Sequence, residues 1–138
     1  MAGWELFAHG ADVGVRGVGP TREAAFEQGA LALMHAIGAG EGVVPQQAVS
    51  IACNGPNDEV LFVDWLNALI FEIATRSVLF SRFRVDIEDG GLRAEAWGEP
   101  IDPARHEVAV EAKGATFTAL EVAKRADGSW VAQCVVDV

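Results

Sequence analysis

A chain of 138 residues is long enough to bury one hydrophobic core and short of the usual two-domain length, so a single domain over 1–138 is expected. Hydrophobic residues at 51% and charged residues at 22% exclude a disordered chain, and no apolar run reaches the roughly 18 residues that a membrane span needs. Ten Lys and Arg against twenty Asp and Glu leave a formal charge of −10, which disfavours direct RNA or DNA binding and suits a basic protein partner or a divalent cation better.

The first residues, Met1-Ala2-Gly3-Trp4-Glu5, lack the basic start and apolar block of a secretory signal, so a cytoplasmic location is expected. Trp4 to Ala8 reads as a strand. His9-Gly10-Ala11-Asp12 follows as a bend, with Gly10 free to take backbone conformations that a Cβ forbids. From Val13 the alternation of Val13 and Val15 with Gly14 and Arg16 predicts a second strand, which Pro20-Thr21 ends. Thr21 is placed to cap a first helix from Arg22 to Ile37, with Phe26, Gly29, Ala30, Leu33 and Ile37 on one stripe and His35 off it, at the surface. The run Gly38-Ala39-Gly40 breaks that helix.

Ala48 to Cys53 predicts a short strand, and Asn54-Gly55-Pro56-Asn57 a turn whose Asn57 or Asp58 caps a second helix. Within that helix Leu61, Phe62, Trp65, Leu66, Leu69, Ile70 and Ile73 form a broad apolar face, while Asp64, Asn67 and Glu72 fall on others. Arg82 to Glu88 and Leu92 to Ala96 alternate around Asp89-Gly90-Gly91 and read as a hairpin. Glu107 to Ala112, Thr116 to Lys124 and Trp130 to Val138 are also strand-like, the last two joined by a turn at Ala126-Asp127-Gly128-Ser129. Two helices among clustered strands predict an α+β fold in two layers, a largely antiparallel sheet with both helices on one face.

Chemistry-bearing residues are few. Cys53 and Cys134 form no Cys-x-x-Cys pair and read as buried reduced thiols. Asp12 lies among small and apolar residues, and Asp137 shares a strand face with Val131, Gln133 and Val135. Each reads locally as a turn or terminal acid. Together with the carboxylate of Val138 they also make an oxygen donor set that suits Ca²⁺ or Mg²⁺ rather than zinc. Lys113, at a strand break, is either a solvated lysine or an anion contact; His9, His106, Glu99 and Glu107 are open. No phosphate-cradling Gly-x-x-x-x-Gly-Lys loop and no Gly-x-Ser-x-Gly elbow occurs.

Six stretches, in order, resemble one family, archease: HGADVGVRGVG, TREAAFEQGALALMHAI, VLFVDWLNALIFE, GEPIDPARH, EVAVEAKGATFTALEV and WVAQCVVDV. The first resembles its His-Thr-Ala-Asp signature and the last its terminal Asp-aliphatic pair. The resemblance implies a non-catalytic accessory factor for an RtcB-type RNA ligase, which joins a 3′-phosphate or cyclic-phosphate RNA end to a 5′-hydroxyl in tRNA splicing or RNA repair. Such a factor promotes guanylylation of the ligase and its multiple turnover. The resemblance further implies a divalent ion, Ca²⁺ foremost with Mg²⁺ or Mn²⁺ as substitutes, held by Asp12, Asp137 and Val138. Lys113 is the implied residue for acting at the ligase, with His9 and His106 as further partner-facing candidates. Gly10 stands where the family has threonine and Phe117 where it has tyrosine, so each position lacks a hydroxyl. Two other readings are a chaperone-like interaction module and a metal-dependent phosphoesterase using Asp12 and Asp137 with His9 or His106 as acid or base.

Overall fold

A computed structural model of the chain describes residues 2–39 and 41–138. In chain order the elements are β1 (Gly3–His9), β2 (Asp12–Gly19), α1 (Arg22–Ala36), β3 (Gln47–Asn54), α2 (Asp58–Arg76), β4 (Val78–Glu88), β5 (Gly91–Pro100), β6 (Gly114–Ala115), β7 (Glu121–Lys124) and β8 (Trp130–Asp137). Both helices start where their caps predict. The Thr21 hydroxyl accepts from the Ala24 amide at 3.0 Å, and the Asn57 side-chain oxygen accepts from Val60 at 2.9 Å. Gly10 sits in the β1–β2 turn at φ 61°, a conformation that carries a steric penalty for residues with a Cβ. Gly38 ends α1 with a positive φ; Gly40 lies outside the described residues.

The α+β class and the antiparallel pairing stand as expected, but the strands divide into two sheets rather than one. A five-stranded sheet runs β1-β2-β8-β6, with β7 also on β8, and a three-stranded sheet runs β3-β5-β4. Each helix touches both sheets: α1 contacts β1, β2 and β8 on one side and β4 on the other, and α2 contacts β6, β7 and β8 as well as β3, β4 and β5. That is why α1 has buried residues around so much of its circumference, from Ala25 and Phe26 to Ala32, Leu33 and Met34.

Two contacts set the depth of this packing. A Cβ at Gly17 would collide with the carbonyl oxygen of Ala25 and the amide nitrogen of Gly29, so glycine lets β2 lie directly on the α1 backbone. Trp65 of α2 is fully buried and donates its indole N–H to the Phe26 carbonyl at 3.0 Å, while Phe26 and Phe62 meet edge to face at 5.1 Å. The helices are thereby tied to each other as well as to the sheets.

Four expected features differ. Of the strand expected over Thr116 to Lys124 only β7 (Glu121–Lys124) forms, β6 lying just before that range, and Ala119 takes φ 53° in the break between them. Val135 keeps both backbone bonds across the break, donating to Thr118 and receiving from Thr116. The stretch Glu107 to Ala112 joins no sheet. His35 is half-buried rather than at the surface, its ring stacked on Trp4 at 3.9 Å, and Cys53 is only half-buried, unlike Cys134.

Candidate metal and partner site at the joined chain ends

The site is built by β-sheet register. His9 pairs with Asp12 across the β1–β2 hairpin, Val13 pairs with Val136 across β2 and β8, and Gly114 pairs with Asp137 across β6 and β8. One step beyond Val13 and Val136 sets Asp12 opposite Asp137. A single row across the sheet therefore reads His9, Asp12, Asp137, Gly114, and directly opposed residues project from the same face. Val15 and Gly17 lie on the α1 side of β2, so this row occupies the opposite face, away from the helices.

Distances confirm that the ends meet. The Val138 amide donates to Asp12 Oδ1 at 3.3 Å, and the Lys113 amide donates to the Asp137 carbonyl at 2.8 Å. Lys113, whose side chain is exposed, thus follows directly along the edge from the paired acids. Its segment is anchored from behind by Asn67 of α2. The Asn67 amide oxygen accepts from the Ala115 N–H at 2.8 Å and its nitrogen donates to the Ala115 carbonyl at 3.4 Å, so a side chain takes the place of a strand neighbour. Next to the row on the same face, Arg16 lies 4.7 Å over the Phe7 ring and donates to Gln133 at 2.8 Å and Glu5 at 3.1 Å. These contacts stitch β1, β2 and β8 together beside the acids.

His106 takes no place in this row. It belongs to a second cluster with Glu99, the two being 7% and 3% exposed. Its Nε2 donates to Glu99 at 3.2 Å, because its Nδ1 already accepts the Asp102 amide at 2.9 Å. Glu99 also receives the Val44 amide at 2.6 Å and the Arg105 guanidinium. The Val44 amide, and then Arg105 and His106, hold the Glu99 carboxyl below its ordinary value of 4.5, against the opposing effect of burial. All of its donors therefore meet a charged acceptor.

The sequence singles out Asp12, Asp137, Val138 and Lys113 as candidates, gives Asn67 no role and leaves Glu99 open. A polar residue on a helix facing a two-residue strand has no local signature. Glu99 carries one signal, an acid set between the small and apolar run Ala96-Trp97-Gly98 and Pro100-Ile101.

As donors, Asp12, Asp137 and the Val138 carboxylate are all hard oxygens and fit a Ca²⁺-class ion. Among the described residues no three His, Cys, Asp or Glu side chains gather as metal ligands.

A small α+β domain whose last strand pairs with the first hairpin, setting Asp137 opposite Asp12, is the class this geometry defines. Residues 4–138 match the model of the Archease protein family, and the chain belongs to that family. It is 37% identical over 142 residues to an archease of Pyrococcus furiosus, covering 100% of both chains, and 36% identical over 140 residues to one of Methanosarcina barkeri, covering 98% and 95%. Among solved structures it is similar to a Methanobacterium thermoautotrophicum protein, with a TM-score of 0.77, 32% identity and 99% coverage of each chain. A Thermotoga maritima archease described as a possible chaperone shares the fold, with a TM-score of 0.61, 20% identity and coverage of 97% and 96%.

Proposed function

We propose that this chain is a non-catalytic accessory factor of an RtcB-type RNA ligase, promoting guanylylation of the ligase and its multiple turnover with the help of a bound divalent cation. The observation that carries the reading is the Val138 amide on Asp12 with Asp137 in the opposing register position, which brings an oxygen donor set to one edge of an exposed sheet face. Asp12, Asp137 and the Val138 carboxylate would hold the ion, and a hard cation there would offset the repulsion of three adjacent negative groups. Lys113 is then offered outward from a backbone fixed by Asp137 and Asn67, a position suited to contacting the ligase rather than the chain's own acids. His9, exposed at the end of the row, is a second partner-facing residue. His106, bound to Glu99 and Asp102, stands in a separate cluster and is not part of this reading of the site.

The test is multiple-turnover joining of a 3′-phosphate RNA by the ligase of the same organism, with GTP and a divalent ion, with and without this protein. Faster joining and faster ligase guanylylation are expected; no change in either, with folded protein and active ligase, overturns the reading.

A chaperone-like role is the second reading, favoured by exposed Phe71 and by Phe117, which is 65% exposed. Suppression of aggregation of unrelated proteins that survives Asp12→Ala would put it ahead. For the phosphoesterase reading no observation speaks, since His106 is committed to Glu99 and Asp102.

A further inference from the structure

Residues 107–112 alternate Glu, Val, Ala, Val, Glu, Ala as a strand does, yet they pair with no strand. A segment with strand chemistry and no sheet is a local preference that the fold leaves unused, and such conflicts concentrate at functional surfaces. The backbone is correspondingly open. Only Ala109 and Val110 donate, both to the Ile37 carbonyl, at 2.9 and 3.5 Å. Among the described residues, none of the carbonyls of 107–112 accepts a hydrogen bond, and the amides of Val108, Glu111 and Ala112 donate none.

The segment is held taut at both ends. His106 donates its amide to Asp102 at 2.7 Å and is locked by Glu99, and the Lys113 amide is bonded to Asp137. Val108 and Val110, 44% and 39% exposed, form one wall of a cavity of about 330 Å³ whose other walls include Leu33, Ile37, Ile70 and Ile73. On the alternate positions stand Glu107 and Glu111, both exposed and, among the described residues, in no ion pair.

We propose that residues 107–112 are a docking edge for an extended segment of a partner protein in which apolar and basic side chains alternate. Strand addition satisfies the open amides and carbonyls. The period of two sends the partner's apolar residues into the cavity beside Val108 and Val110 and its basic residues against Glu107 and Glu111. Because the edge is already extended and pinned, little ordering of this chain opposes binding. A second copy of the chain is a poor occupant. Antiparallel self-pairing centred on Ala109 sets Glu107 of one copy opposite Glu111 of the other, a like-charge contact.

The experiment uses the full chain, without ligase or metal, and a fluorescent nine-residue peptide of alternating lysine and valine. Saturable binding is expected, with amide exchange at Val108 and Ala112, the open amides on the edge opposite the Ile37 contact, slowed about tenfold or more in the complex. The double variant Glu107→Lys, Glu111→Lys should keep the wild-type Tm and bind about tenfold more weakly. The proposal is overturned if the peptide does not bind, if those amides stay unprotected, if the double variant binds as wild type, or if a glutamate-valine peptide binds equally well. Concentration-dependent protection of the same amides without peptide would assign the edge to a second copy and overturn it likewise.

Discussion

Asp12 and Asp137 are acids that the register places opposite each other, with the chain terminus alongside. If a cation bridges them, Asp137→Ala abolishes both the Ca²⁺-dependent rise in Tm and ligase activation, and retention of both would sink the metal reading. A one-residue extension beyond Val138 is expected to do the same, since it moves the third donor; thermal scans with and without Ca²⁺ check this. Gly17→Ala acts on packing alone. The added methyl meets α1 backbone that cannot swing aside, so a loss of about 1–3 kcal/mol or more is expected in urea unfolding, with no change in calcium response of the folded fraction. Burial pushes the Cys134 thiol up to about 12 and the Cys53 thiol up to about 11, so neither is a nucleophile at neutral pH. The carboxylates were legible as residues because an acid among small and apolar neighbours stands out; Asn67 was not, because its role is defined by a strand 48 residues away.

Among the elements, α2 does two jobs: its apolar face fills the space between the sheets, and Asn67 on its flank carries β6. Asn67→Ala leaves both backbone groups of Ala115 without their partner, so a loss of about 1–3 kcal/mol is expected, with faster amide exchange at Ala115. If Lys113 acts on the ligase, the same variant lowers activation while leaving Ca²⁺ binding in place. Stability curves, exchange rates and activation assays separate these effects. Helix starts were readable to within a residue because Thr21 and Asn57 satisfy orphan amides locally. Strand boundaries after Glu99 were not. Periodicity reports which residues could form a strand, whereas pairing depends on a neighbour with the right offset, and Ala119 and the unpaired run 107–112 follow from that global fit.

For the molecule as a whole, the buried Glu99 and the half-buried Glu27 pull the pH dependence in opposite directions. Glu99 is held below 4.5 in the folded state, so its contribution to stability is present above 4.5 and is lost as pH falls through the lowered value. Burial raises Glu27 above 4.5 despite the Val85 amide at 2.9 Å, so its contribution is present below 4.5 and is lost as pH rises through the raised value. Glu99→Gln is therefore expected to lower Tm at neutral pH and flatten the acid limb of a Tm–pH curve. Glu27→Gln, which can still accept from Val85, should raise Tm at neutral pH and change little below pH 4.5. Opposite slopes in the two variants would overturn these assignments.

By itself the sequence determined the α+β class, the two capped helices, the first hairpin and the acids worth attention, since these depend on composition, period and caps within a few residues. Only the tertiary structure decided that the strands split into two sheets with the helices touching both, that Asp12 faces Asp137 beside the terminus, and that His106 serves Glu99. Each of these is a contact between distant stretches. The offset between two strands, not the content of either, selects which side chains meet, and that offset comes from packing the whole core at once.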